Sequence, residues 1–176
     1  MTGFQGAAGS SAKLIGTAVP SGVGVEFSGF DSLDYRKFIL VLDDVGSVAN
    51  PTYAQLQLGD GAAPVWRTGL FYSTATVAND TIDPGSSVLN GSAYNLGNIG
   101  YTGKYGGRIE ISGHAPGGCD YPTLNYFGFR RYGTTGPDNA NWMATGTYGQ
   151  PGAFQGLKYF VAGTMYGVGV HLWGLK

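Results

Sequence analysis

Apolar residues recur along the chain in short blocks with a period of two. Ala54, Leu56 and Leu58 fall on one side of a segment whose other side is Gln55 and Gln57, the pattern of a half-buried strand. Ile109 and Ile111 alternate with Glu110 and Ser112, and Val168, Val170 and Leu172 alternate with Gly169, His171 and Trp173. The block Phe38-Ile39-Leu40-Val41-Leu42 is apolar at every position, as in a central strand covered on both faces. Helical signals are nearly absent: only Glu26 and Glu110 supply glutamate, and glycine interrupts almost every ten-residue stretch. The pattern predicts strands over 13–19, 23–28, 35–45, 52–59, 65–73, 107–113, 123–132, 143–148, 157–163 and 167–175.

Between these blocks stand turn residues: Pro20-Ser21-Gly22, Asn50-Pro51, Asp60-Gly61, Pro116-Gly117-Gly118 and Gly136-Pro137-Asp138. Short strands at regular spacing with Gly/Pro turns predict an all-β fold, an antiparallel β-sandwich of jelly-roll type, as a single domain over residues 13–176. Residues 1–12 are small and polar and read as a flexible N-terminal arm. Residues 74–106 are rich in Ser, Thr, Asn and Gly, with only Asp80, Asp83 and Lys104 charged, and read as a long loop, functional or disordered. Its Tyr94, Tyr101 and Tyr105 imply that part of it packs, with a neighbouring subunit as one candidate surface.

Composition narrows the class. The 32 glycines and 8 prolines in 176 residues approach the range of disordered chains, but 43% of residues are hydrophobic and the net charge is −1, so the chain is expected to fold. Ten scattered basic side chains form no stripe for phosphate, so nucleic acid is not an expected partner. No apolar run approaches the length of a membrane-spanning helix, and no secretory leader is visible at the start. A single cysteine, Cys119, excludes a disulfide framework within one chain. Charged residues at 12% leave a free monomer poorly solvated, which points to a subunit of a larger assembly.

The catalytic inventory is thin, and the expectation is a protein that is not an enzyme and carries no cofactor. His114, Cys119 and Asp120 can be drawn together across the Pro116-Gly117-Gly118 turn, but zinc asks for more ligands than these. Asp31/Asp34, Asp43/Asp44 and Asp80/Asp83 are paired carboxyls by proximity, as glycoside hydrolysis or a calcium ion would use. Asp31-Ser32-Leu33-Asp34 reads better as a turn held by side-chain bonds to nearby backbone N–H groups. His171 alternates away from the Val170/Leu172 face and is expected at a surface or interface. The richer material lies between 116 and 156, where a ligand surface would use Tyr121, Tyr132, Asp138, Asn141, Trp142 and Tyr148. Flat aromatic faces stack on sugar C–H groups, and amides or carboxylates pair with hydroxyls; the same aromatics also suit the interior of a sandwich. Arg130-Arg131 adjoin this region and read as a surface pair.

Three stretches carry a family resemblance. The first is Val25-Glu26-Phe27-Ser28-Gly29-Phe30-Asp31-Ser32, with Asp34-Tyr35-Arg36-Lys37-Phe38-Ile39-Leu40-Val41-Leu42-Asp43-Asp44-Val45 and Ala54-Gln55-Leu56-Gln57-Leu58-Gly59-Asp60-Gly61. Gly107-Arg108-Ile109-Glu110-Ile111 with the Tyr121–Phe129 strand is the second, and the ending Val168-Gly169-Val170-His171-Leu172-Trp173-Gly174-Leu175-Lys176 the third. In this order they resemble a family of small β-sandwich virion structural and tail-fibre type proteins of tailed bacteriophages. The resemblance implies a virion component made in a bacterial host cytoplasm. Its implied partners are copies of itself, a homotrimer among the options, and other virion proteins. Host attachment through cell-surface carbohydrate is the expected further role; a head- or tail-decorating protein without a ligand and a glycan depolymerase are the alternatives.

Overall fold

A computed structural model of the chain describes residues 11–48, 53–78, 81–83, 87–98, 104–114, 121–131, 139–161 and 163–176. Its strands are β1 (Ala12–Ala18), β2 (Gly24–Ser28), β3 (Lys37–Ser47), β4 (Tyr53–Asp60), β5 (Val65–Trp66), β6 (Leu70–Ala78) and β7 (Thr81–Asp83). They continue with β8 (Ser87–Gly91), β9 (Tyr94–Asn98), β10 (Lys104–Ser112), β11 (Thr123–Arg131), β12 (Asn139–Tyr148), β13 (Gly156–Val161), β14 (Met165–Tyr166) and β15 (Gly169–Leu175). The strands form two antiparallel sheets packed on each other, as expected of a β-sandwich. The large sheet runs β1-β15-β3-β10-β11-β12-β6-β7, with β14 paired to β3 and β8 to β6. The small sheet runs β2-β13-β4-β5, with β9 also on β4.

Period-two patterning decides which side chains meet. In the large sheet Leu172, Leu40, Ile109, Tyr126 and Ala144 are direct neighbours across five strands, and all are buried. In the small sheet Phe27, Leu157 and Leu58 line up in the same way, as do Val25, Tyr159, Leu56 and Tyr94. These two inner faces make one core. A one-residue slip in any of these strands would turn its apolar set to the outside, so the pattern fixes the register as well as the strand.

Among the described residues the core holds four fully buried tyrosines, Tyr94, Tyr126, Tyr148 and Tyr159. Buried hydroxyls need partners. The Tyr126 hydroxyl donates to the Gly106 carbonyl at 3.0 Å, and the Tyr148 hydroxyl accepts from the Leu58 N–H at 3.1 Å, tying β12 to β4 across the sandwich. Burial raises the phenol pKa of Tyr94 and Tyr159, and pushes that of Tyr148 up to about 12.

Two expectations are corrected. The stretch 65–73 is not one strand: β5 pairs in the small sheet and β6 in the large one. The chain crosses between them at Arg67, which is buried, and at Gly69, which takes φ 75°. The 74–106 segment is not a long loop, because it carries the end of β6, all of β7, β8 and β9, and the start of β10. These strands are three to five residues long between β6 and β10, too short for an alternating pattern to stand out. Tyr94 fills the core of this chain rather than a neighbour's surface. Of the proposed N-terminal arm, residue 12 opens β1 and the Lys176 N–H donates to the Ser11 carbonyl at 3.3 Å; residues 1–10 lie outside the described residues.

Candidate binding surface

The six residues proposed for ligand binding do not form one described site. Tyr121 is 47% exposed just before β11, and its carbonyl accepts from the Thr123 hydroxyl at 3.3 Å. Asn141 and Trp142 lie in β12, where they pair with Phe129 and Gly128 of β11. Tyr132 and Asp138 lie outside the described residues. Tyr148 is a correction. It sits at the end of β12 as a wholly buried member of the core, and its hydroxyl is engaged by Leu58. The strand reverses which face each successive residue takes, so an aromatic in the 143–148 strand was as able to face inward as outward.

The polar candidates have structural partners. Asp31 Oδ1 accepts from the Leu33 N–H at 2.9 Å and caps the short 3-10 turn Ser32–Asp34, as the turn reading expected. Asp44 takes φ 53°, at a bulge where β3 and β10 lose register, and pairs with Lys104. His114 is buried with its Nε2 2.9 Å from the Tyr35 carbonyl, and its ring packs on Phe38 and Phe154 at 5.2 Å from each. Burial holds its pKa below the ordinary histidine value, so the ring is neutral in the fold. Cys119 and Asp120, its proposed companions, lie outside the described residues. Among the described residues no three His, Cys, Asp or Glu side chains stand close enough to hold a metal ion.

Arg67 is a buried cation that patterning did not flag. Its guanidinium donates twice to Asp60 Oδ1, at 2.8 and 2.7 Å, and to the carbonyls of Gln150, Gly152 and Ala153. The fork shape of arginine lets one side chain lock the β4–β5 hairpin to the 150–153 turn. These bonds make Arg67 a structural clasp between β4 and the 150–153 turn.

The surface best formed for contact is the outer face of the large sheet. Cross-strand pairing sets Thr17, His171, Val41, Arg108, Phe127 and Met143 in one row from β1 to β12. Phe127 is 45% and Met143 49% exposed, and Arg108 lies over the Phe127 ring at 5.9 Å. The neighbouring row carries Trp173, Ile39, Glu110, Asn125 and Thr145. Glu110 bonds Lys37 at 2.9 Å and Arg108 at 3.1 Å, and the Lys37 hydrogen bond keeps its carboxyl below the usual range. A shallow depression of about 460 Å³ opens in this face between Val41, Asp43, Gly107, Arg108, Phe127 and His171. His171 is half-buried there with Nδ1 3.0 Å from the Thr17 hydroxyl. The signal for this face was present in the run Leu124-Asn125-Tyr126-Phe127: once Tyr126 points inward, Phe127 must point out.

No family model, curated protein or solved structure matches the chain.

Proposed function

We propose that the chain is a structural subunit of a tailed-phage virion, of tail-fibre or tail-tip type, whose main work is assembly. The observation that carries this reading is a sandwich body whose large sheet exposes Phe127, Phe129 and Met143 on its outer face, side chains of the kind that contacts between subunits use. The order of sequence blocks described above supports the virion context. A jelly-roll path for the core is part of the same reading. The alternation of β1, β15, β3 and β10 in one sheet with β2, β13, β4 and β9 in the other supports it.

Adhesion to a host surface glycan is the accessory role we assign, with exposed Tyr121 as its described aromatic platform. A depolymerase would need a carboxyl held protonated as general acid. At Glu110 the chain does the opposite, because Lys37 stabilises the carboxylate. Mass spectrometry and immunogold labelling of purified particles test the proposal. We expect the chain in many copies per particle, with label on the tail; its absence from particles would refute the virion reading, and label on the capsid shell would replace the tail assignment with decoration. For the adhesive role, Tyr121→Ala should weaken binding to purified host glycan, and unchanged binding would remove Tyr121 from the site.

A further inference from the structure

We infer that the outer face of the large sheet, centred on Phe127 and Met143, packs against a second copy of this chain. The inference deepens the assembly reading by naming the partner and the surface. Its test uses purified chain alone, so it can fail while the chain is still found in particles.

The two outer faces of the sandwich differ in how far their aromatic side chains are exposed. On the small sheet Glu26, Lys158 and Gln57 stand side by side across β2, β13 and β4, and Lys158 bonds Glu26 at 2.8 Å. That face also carries Trp66 and Phe160, both half-buried, with the Lys158 ammonium over their rings at 5.4 and 5.6 Å. The corresponding central row of the large sheet sets Val41, Phe127 and Met143 outward beside His171 and Arg108, with Phe127 45% and Met143 49% exposed, and Ile39 and Trp173 stand in the next row beside Glu110. Strand β3 is apolar on both faces, yet only its inner residues Phe38, Leu40 and Leu42 are covered by the small sheet; Ile39 and Val41 remain half-buried. Among the described residues, a strand patterned for two covers has one.

Area and charge favour a second copy as the other cover. Seven adjacent strands from β1 to β6, each at least seven residues long, span a face of roughly 800 Å² at ordinary strand spacing and rise. That matches the roughly 800 Å² per partner of a standard stable interface. The charges on the face balance within the chain: Lys37 and Arg108 share Glu110, and Asp43 lines the depression together with Arg108. The face therefore offers no net sign to draw an oppositely charged partner, and two such faces meet without repulsion. Its relief is low as well. The Phe129 ring lies over Gly106, where a Cβ would stand 2.3 Å from it, so the aromatic lies along the sheet instead of rising from it. Two copies of one sheet share the same twist, which is what aligned face-to-face packing requires.

Sedimentation velocity and light scattering on the purified full chain, over a dilution series in the micromolar range, read the result. The wild type should show the mass of two or more copies, and Phe127→Lys combined with Met143→Lys should reduce it to one. Both side chains project outward, so circular dichroism should report an unchanged fold; if the double variant does not fold, Met143→Lys alone is measured. Val65→Lys, on the exposed edge of the small sheet, should leave the mass unchanged. A wild type that is monomeric throughout, or an oligomer that survives in the folded face variants, overturns the inference. So does an oligomer abolished equally by Val65→Lys.

Discussion

Replacing Arg67 should be among the most costly single changes in the molecule. Its guanidinium is 3% exposed and makes five hydrogen bonds, two to a carboxylate and three to backbone carbonyls. In Arg67→Ala the partners differ in what they recover. Asp60 is 51% exposed and regains water, so little is lost on that side. The carbonyls of Gln150, Gly152 and Ala153 lose a charged donor, at roughly 1–3 kcal/mol for each acceptor left dry. Gln150 is itself exposed, so relaxation of the turn rehydrates part of the set. The net destabilisation should be about 3 kcal/mol, which for a chain of this length lowers Tm by about 6–12 °C. Arg67→Lys should recover about a third of that, since an ammonium cannot span both the carboxylate and the turn. Asp60→Asn should cost only about 1 kcal/mol, because its partner keeps the carbonyls. Urea unfolding of the three variants measures these values. An Arg67→Ala cost below about 1 kcal/mol would refute the clasp, as would a loss that disappears in high salt, the behaviour of an exposed pair.

Three further outcomes follow from buried groups. His114 has a folded pKa below its ordinary value, so below about pH 6.5 the unfolded chain binds a proton that the fold refuses, and stability falls as pH falls. Urea unfolding should show lower stability at pH 5.5 than at pH 7 from this group, and the difference should shrink in His114→Gln; an identical difference in both proteins would contradict the burial argument. Gly107→Ala should prevent soluble folding: Gly107 takes φ 137°, and an added Cβ would lie 2.4 Å from the Phe127 carbonyl oxygen. Wild-type solubility and melting temperature in that variant would show that β10 and β11 do not approach so closely. Tyr148→Phe should cost about 1–2 kcal/mol through the unpaired Leu58 N–H, while glycan binding stays unchanged; lost binding with full stability would return Tyr148 to the ligand surface.

Much of the fold could be read from period two alone. Leu56, Leu58, Ile109, Ile111, Val170 and Leu172 are all in the core, on the faces their alternation assigned. The pattern was silent where alternation is not the controlling force. Arg67 is a charged residue in a predicted strand, and only its carbonyl and carboxylate partners, distant in sequence, make it an interior group. Short strands such as β7 and β8, three and five residues long, carry Ser, Thr and Asn and pair with β6 at the far side of the large sheet, too short for a period to stand out. The candidate surface was legible in part. Phe38–Leu42 announced a strand wanting two covers, but aromatic residues alone did not say which would face out. Tyr148 and Tyr121 were equally good sugar platforms by composition, and burial in the fold separated them.

The central claim is that this sandwich works as an assembled virion part through the outer face of its large sheet. A cryo-electron microscopy reconstruction of the purified particle tests it most directly. The account predicts repeated density that fits the two-sheet body, with Phe127 and Met143 enclosed against a neighbouring copy. Particles lacking such density, or density with that face turned to solvent, would contradict it.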